Sequence, residues 1–198
     1  MKKLFVTLFL VTIFTIPALA RDMELIPKLG FLFSPELTQR PGGKSISTSK
    51  DSAVSLGGEL FLDMDKNFFL GIGIMYGQIH KFTGNSSNKI GFSNIYVELK
   101  RKFLVNNLND NSLFIYPLIQ VGYGIPDWKY NGYQIGYKIE GQFYWGLGVG
   151  CEYRNVIFEL IYGCNYAAEK YITTDIKNFN NNLTYTAFRI NVGYKFNL

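Results

Sequence analysis

The sequence predicts an all-β fold, an antiparallel eight-stranded transmembrane up-and-down β-barrel, and three observations carry that expectation. Segments with a period of two recur along the chain, each setting an apolar face against a polar one. The final stretch shows it most clearly: Phe188, Ile190, Val192, Tyr194, Phe196 and Leu198 share one face, with Arg189, Asn191, Gly193, Lys195 and Asn197 on the other. The connections between segments alternate between short and long. Beyond residue 20, no apolar run approaches the length of a spanning helix. A membrane protein of this composition must therefore cross as strands, closed so that no backbone edge meets lipid.

Residues 1–20 stand apart from this pattern. Met1, Lys2 and Lys3 give a positive start, Leu4 to Ile16 is apolar apart from two Thr residues, and Pro17-Ala18-Leu19-Ala20 has the small residues of a cleavage site. This is the layout of a secretory signal peptide, too short for a membrane anchor. No Cys follows the expected cut, which argues against lipoprotein processing. The mature domain is then Arg21–Leu198, with room for one domain. Losing Lys2 and Lys3 takes the formal charge from +5 to +3, with no dense basic block, so nucleic acid is not an expected partner.

The eight expected strands follow in order. Leu25–Ser34 sets Leu29, Phe31 and Phe33 outward and Lys28 and Gly30 inward. Ala53–Asp63 sets Val54, Leu56, Leu60 and Leu62 against Ser55, Gly57, Glu59 and Asp63. Phe68–Ile79 sets Leu70, Ile72, Ile74 and Tyr76 against glycines, and Ile90–Phe103 sets Ile95, Val97 and Leu99 against Tyr96, Glu98, Lys100 and Lys102. Leu113–Gly124 turns Tyr116 and Gln120 inward. Ile139–Tyr153 has Phe143, Trp145, Leu147, Val149, Cys151 and Tyr153 on one face and Glu140, Gln142, Tyr144, three glycines and Glu152 on the other. Val156–Tyr166 opposes Phe158, Leu160 and Tyr162 to Glu159 and Asn165, and the final strand is the one described above. Each is long enough to cross the hydrocarbon layer at the usual barrel tilt.

Short turns are expected at Met64–Asn67, Val105–Ser112 and Arg154-Asn155, and long loops at Pro35–Asp51, His80–Lys89, Ile125–Lys138 and Ala167–Leu183. A soluble lipocalin-like barrel or a β-sandwich is the alternative, but a lipocalin turns its apolar face inward around a ligand. Here the unbroken apolar face also carries aromatics at both ends: Tyr76, Tyr123 and Tyr162 near the long loops, Phe103, Tyr153 and Phe196 near the short turns. Two aromatic girdles suit a lipid-facing exterior.

The terminal octet Asn191 to Leu198 resembles the C-terminal insertion signal of outer-membrane barrels. Asn191, Gly193, Phe196 and Leu198 hold the signal positions, although Leu198 stands where an aromatic is usual. The whole mature chain resembles the small eight-stranded outer-membrane barrels, among them the opacity-type adhesins and the transmembrane domain of the outer-membrane protein A family. That resemblance implies a monomeric barrel in the outer membrane of a Gram-negative envelope. It also implies barrel-insertion machinery and lipopolysaccharide as partners.

Eight strands leave a lumen that side chains can fill. The expected inward charges are Lys28, Glu59, Glu98, Lys100, Lys102, Glu140, Glu152, Glu159, Arg189 and Lys195, five of each sign. Enclosed charges are costly unless paired, so Lys28, Glu59, Glu98, Lys100, Glu159 and Arg189 are expected to form a structural ion-pair network. The alternative is a narrow path for small solutes. The long loops carry the recognition candidates Trp128, Tyr130, Tyr133, Lys170 and Tyr171, because Trp and Tyr are efficient contact residues.

Three other features carry less. Gly146-Leu-Gly148-Val-Gly150 has neither the spacing nor the following helix of a nucleotide fingerprint. A two-residue turn at Arg154-Asn155 puts Cys151 opposite Phe158 and Cys164 opposite Trp145, leaving the sulfurs about 20 Å apart as free, lipid-facing thiols. His80 is the single histidine and lies near Ser86 and Ser87. Some small outer-membrane barrels are lipid A-modifying enzymes built on such residues, but spacing alone assembles no triad. The expectation is therefore a non-enzymatic barrel without cofactor or metal, acting in surface interaction, adhesion or envelope integrity. A small porin-like pore or carrier is the first alternative, and a lipid A-modifying enzyme the second.

Overall fold

The computed structural model describes residues 23–39, 46–49, 52–65, 67–77, 80–81, 89–108, 111–129, 137–171 and 180–198. The expected signal peptide lies outside them. Eight long strands follow in order: β1 Met23–Gln39, β2 Ala53–Asp65, β3 Phe68–Gly77 and β4 Lys89–Arg101. Then come β5 Asn111–Lys129, β6 Tyr137–Tyr153, β7 Val156–Tyr171 and β8 Asn180–Tyr194. Each pairs antiparallel with its sequence neighbours, and β8 returns to β1 through pairs such as Lys28↔Gly193 and Phe31↔Ile190, so the sheet closes. Four short pieces extend it: Ile46–Ser49 on β1, His80–Lys81 on β4, Phe103–Leu108 on β5 and Phe196–Asn197 on β1. No helix among the described residues is long and apolar enough to cross a membrane; the strands do the crossing.

Alternation decides which side chains face lipid. Leu29, Leu56, Ile74, Ile95, Leu147 and Val192 are exposed, whereas their neighbours Lys28, Ser55, Met75, Tyr96, Gly146 and Asn191 are buried. The expected girdle residues Tyr76, Tyr123, Tyr162, Phe103, Tyr153 and Phe196 are all exposed on that outer surface. The short-turn ends are tight. Asn67 (φ 71°) and Arg154 (φ 56°) take left-handed backbone there, and the Arg154 guanidinium lies 5.5 Å from the Tyr153 ring centroid.

Two bulges change the expected phase. At β1 the pairing runs from Phe33↔Phe188 to Glu36↔Thr186, with one extra residue on β1 and Ser34 at φ 48°. The strand therefore continues through Pro35 to Gln39 and does not end at Ser34; proline is tolerated at a bulge. On β6 the pairing runs from Asn165↔Tyr144 to Ala167↔Gly141, which leaves Gln142 exposed on the outer side, against the inward placement expected from alternation. β3 is described over Phe68–Gly77, and the rest of the expected strand, Gln78 and Ile79, lies outside the described residues.

The largest correction is at the long-loop end. Ile125–Lys129 belongs to β5 and Ala167–Tyr171 to β7, both of which the sequence pattern assigns to loops. The 19 residues of β5 and 16 of β7 exceed the roughly 9–11 needed to cross a bilayer. The excess forms a collar of paired strands, with Ile90↔Trp128, Lys170↔Lys138 and Tyr171↔Tyr137 as paired positions.

Candidate functional site: the lumen and the long-loop rim

Inside, the side chains make two cross-braces. The central one is built on Lys28 of β1. Its Nζ bonds Glu159 Oε1 and Oε2 on β7 at 2.7 and 2.6 Å and pairs with Glu59 on β2, all three side chains being fully buried. Neighbours donate further hydrogen bonds to these acids. Tyr116 Oη donates to Glu159 at 3.1 Å, Asn191 Nδ2 donates to Glu159 at 3.1 Å, and Tyr96 Oη donates to Glu59 at 2.7 Å. Glu98 joins through an amide, since Gln120 Nε2 donates to its Oε2 at 2.6 Å. Carboxylate oxygens of Glu59, Glu98 and Glu159 come within 4.8 Å of one another. Hard oxygen ligands of this kind would suit a divalent cation, but Lys28 already supplies positive charge to two of the three.

The second brace closes the short-turn end. Lys102 Nζ lies 2.7 Å from Glu24 Oε1 and 2.8 Å from Glu152 Oε2, and Lys195 pairs with Glu152 and, at 3.6 Å, with Glu24. Lys100 reaches only to 4.0 Å from Glu24; its ammonium sits 3.4 Å from the centre of the Phe61 ring. Cation–π attraction and Glu24 therefore hold Lys100, in place of the expected contact with the central acids. Glu24 itself precedes the start assigned to the first strand, which is why the sequence reading passes over it.

Apolar lumen residues fill the space between. Ile26, Phe61, Tyr116, Ile157 and Ile161 are fully buried. A Cβ on Gly150 would lie 2.4 Å from the Tyr116 ring, and one on Gly71 would lie 2.4 Å from the Phe61 ring. These glycines are where the rings of directly paired residues on the neighbouring strand are seated, Tyr116↔Gly150 and Phe61↔Gly71.

Above the central brace, Arg189 Nη2 donates to Gln120 Oε1 at 3.1 Å and to Tyr144 Oη at 3.5 Å, while Tyr144 Oη donates to Gln120 Oε1 at 2.6 Å. This layer floors a small, partly open cavity of about 30 Å³. Of the six expected network residues, Lys28, Glu59 and Glu159 meet as ion pairs. Gln120 joins Glu98 to Arg189, and Lys100 lies lower.

Of the recognition candidates, Trp128, Lys170 and Tyr171 stand on the strand collar, and Tyr130 and Tyr133 lie outside the described residues. His80 pairs with Ile90 in the short His80–Lys81 strand; Ser86 and Ser87 lie outside the described residues. In the terminal segment, Asn191 and Gly193 face the lumen, Phe196 and Leu198 are exposed, and the Leu198 N–H bonds Met23 O at 2.9 Å. The cysteines are free and paired in register as expected, Cys151↔Phe158 and Cys164↔Trp145. Cys164, however, is buried and not lipid-exposed. It lies on the outer side between Tyr162 and Tyr166 along its strand, in a stretch crowded with rings.

A closed antiparallel barrel with an apolar exterior, aromatic belts at both ends and a cross-braced polar interior defines a β-barrel of the outer membrane. The chain belongs to the family described as outer membrane protein beta-barrel domain, whose model matches residues 6–196. Among solved structures it is similar to OprG from Pseudomonas aeruginosa, at 13% identity and TM-score 0.54, over 89% of this chain and 96% of that one. It is also similar to AlkL, determined in lipid bilayers, at 11% identity and TM-score 0.56, over 89% and 90%. At these identities the likeness shows the fold alone. No curated protein matches the sequence.

Proposed function

We propose that this is a closed, non-enzymatic outer-membrane barrel that acts at its long-loop rim, in surface interaction or envelope integrity. The observation that carries the proposal is the filled lumen. Tyr116, Tyr144, Lys28, Phe61 and Lys100 are each buried to below 2% exposure across the middle of the barrel, and each charged group is held by a neighbour or a ring. That arrangement favours rigidity over conduction. A rigid barrel with β5 and β7 extended past the membrane offers Trp128, Lys170 and Tyr171 on a firm support, where contact residues lose little freedom on binding. The partners this reading implies are lipopolysaccharide beside the collar and a host or envelope surface ligand at its tip. The insertion machinery would read Asn191, Gly193, Phe196 and Leu198.

The test uses a strain lacking the protein, supplied with the full chain or with a Trp128→Ala, Lys170→Ala, Tyr171→Ala variant. Attachment to immobilised fibronectin, laminin and heparin, and growth in bile salts, are compared. Wild-type chain should confer one of these properties, and the variant should lose it while keeping its heat-dependent shift in SDS electrophoresis. Identical behaviour of the two strains, or steady ion conductance of the purified barrel in a planar bilayer, would overturn the proposal.

A further inference from the structure

We infer that the outer face of the collar binds a phosphorylated sugar chain, the core oligosaccharide of the lipopolysaccharide around the barrel. The inference rests on the reading of the rim as the acting surface, and names the chemistry that one side of it recognises. Strand register carries it. Lys81 of the short His80–Lys81 strand is paired with Lys89 of β4, and Lys89 is paired in turn with Lys129 of β5. A further pair joins Lys138 of β6 to Lys170 of β7. Directly opposed positions in an antiparallel sheet bring Cβ atoms to about 4.5–5.5 Å, and like charges placed so are destabilising. Lower in the barrel the pattern is the opposite, with Lys28 set against Glu59 and Glu159, and Lys102 and Lys195 against Glu24 and Glu152. Lysine opposed to lysine three times at one end is a cost to the fold that a shared anion turns into a gain.

Alternation places all five positions on the outer face. Lys89 is in phase with the exposed Ile95, Lys129 with the exposed Tyr123 and Ile125, and Lys170 with the exposed Tyr162 and Tyr166. Lys81 and Lys138 share the face of the lysines they pair with. The acids at outer positions of the same stretches are Asp127 and Glu140, each two residues from a lysine, while Glu169 falls on the other face. Five lysines against two acids leave a charge of +3 there. Height then selects the ligand. Lys129 lies six residues beyond Tyr123, and Lys170 eight beyond Tyr162, both tyrosines of the long-loop girdle. At about 3.3 Å per residue and a tilt near 45°, these positions stand about 14–19 Å above the girdle. A headgroup layer is only about 5–8 Å deep, so the phosphates of a lipid anchor lie too low. Phosphates on a sugar chain rising from that anchor lie at the right level. The face also looks sideways into the saccharide layer of the membrane, which favours a neighbouring lipopolysaccharide over a free polyanion.

The experiment titrates the full barrel, in phospholipid nanodiscs, with three soluble probes. They are core oligosaccharide released from lipopolysaccharide by mild acid, the same sugar after phosphatase treatment, and a heparin oligosaccharide. The phosphorylated core should bind saturably, more tightly than heparin and about tenfold or more above the dephosphorylated sugar, and salt should weaken it. Lys81→Gln, Lys89→Gln and Lys129→Gln together should cost about tenfold in affinity while the urea midpoint holds or rises, because a repulsion has been removed. Arg at the same three positions should keep the binding. Absence of saturable binding, equal affinity for the dephosphorylated sugar, tighter binding of heparin, or a lower midpoint in the Gln variant would each overturn the inference. Attachment or bile resistance lost on replacing Trp128, Lys170 and Tyr171, with no core binding, would sink this inference and leave the wider reading of the rim standing. Saturable core binding, with attachment and bile resistance both unchanged, would do the reverse.

Discussion

Replacing Lys28 by Met tests what holds the barrel together. The substitution keeps the length of the side chain but removes an ammonium that two fully buried carboxylates share, Glu159 through two bonds of 2.6 and 2.7 Å and Glu59 through an ion pair. Both acids would then face each other and Glu98, within 4.8 Å, without the cation between them. Breaking a buried pair from one side typically costs about 3–5 kcal/mol, because the abandoned charge stays desolvated. With a urea slope of about 2 kcal/mol/M, the unfolding midpoint in lipid vesicles, followed by tryptophan fluorescence, should fall by about 2 M. The control adds Glu59→Gln and Glu159→Gln to Lys28→Met, which removes the stranded charges and should recover most of the loss. A Lys28→Met midpoint within about 0.5 M of wild type, or a triple variant no better than the single one, would refute the account of the brace.

Further outcomes follow from other parts of the molecule. Gly150→Val should push the Tyr116 ring off its seat and away from Glu159, lowering stability by about 1–3 kcal/mol in the same urea assay. Phe196→Ala should reduce the heat-modifiable fraction assembled in the outer membrane several-fold, with the mutant chain still refolding in detergent; unchanged assembly would remove Phe196 from the insertion signal. Intact mass should not change on reduction, since Cys151 and Cys164 are free, and a maleimide should reach Cys164 only after unfolding.

The parts of this fold legible in the sequence are those set by a period of two. Lys28, Glu59, Glu98, Glu159 and Arg189 face inward because each alternates with an outward Leu, Ile, Val or aromatic, and that relation survives any uncertainty about strand ends. Where one residue is inserted the parity flips, and nothing in the local pattern announces it: Ser34 breaks it on β1, and the bulge opposite Asn165 and Ala167 turns Gln142 outward. Strand length is legible at neither end: at the turn side the expected turn Val105–Ser112 is a hairpin in which Asn106–Leu108 pairs with Asn111–Leu113, and at the collar the polar and proline-containing stretch Ile125–Lys129 reads as loop until its pairing with Lys89–Ser93 is known. Partners across the lumen depend on the register of strands that never touch. The sequence therefore supplies the charges but not the division that ties Lys28 to Glu159 and sends Lys100 to a ring. Asn94 was within reach, two residues before the inward Tyr96. The apolar Ile26, Phe61 and Ile157 were harder, because an inward face was expected to be polar.

The seam where β8 meets β1 also sets an order of events. Lys28 and Glu159 are separated by 131 residues and lie on strands that become near neighbours only when the sheet closes. Until then, the charges of the central brace stand on the face of an open sheet, in contact with water. Lys28 and Glu59 stand on adjacent strands, but shutting the cylinder brings Glu159 onto Lys28 and dries all three, so the interior works as a latch that sets only when the last strand docks. A barrel assembled this way has little to gain from partial closure, and its final step should be the hardest to reverse.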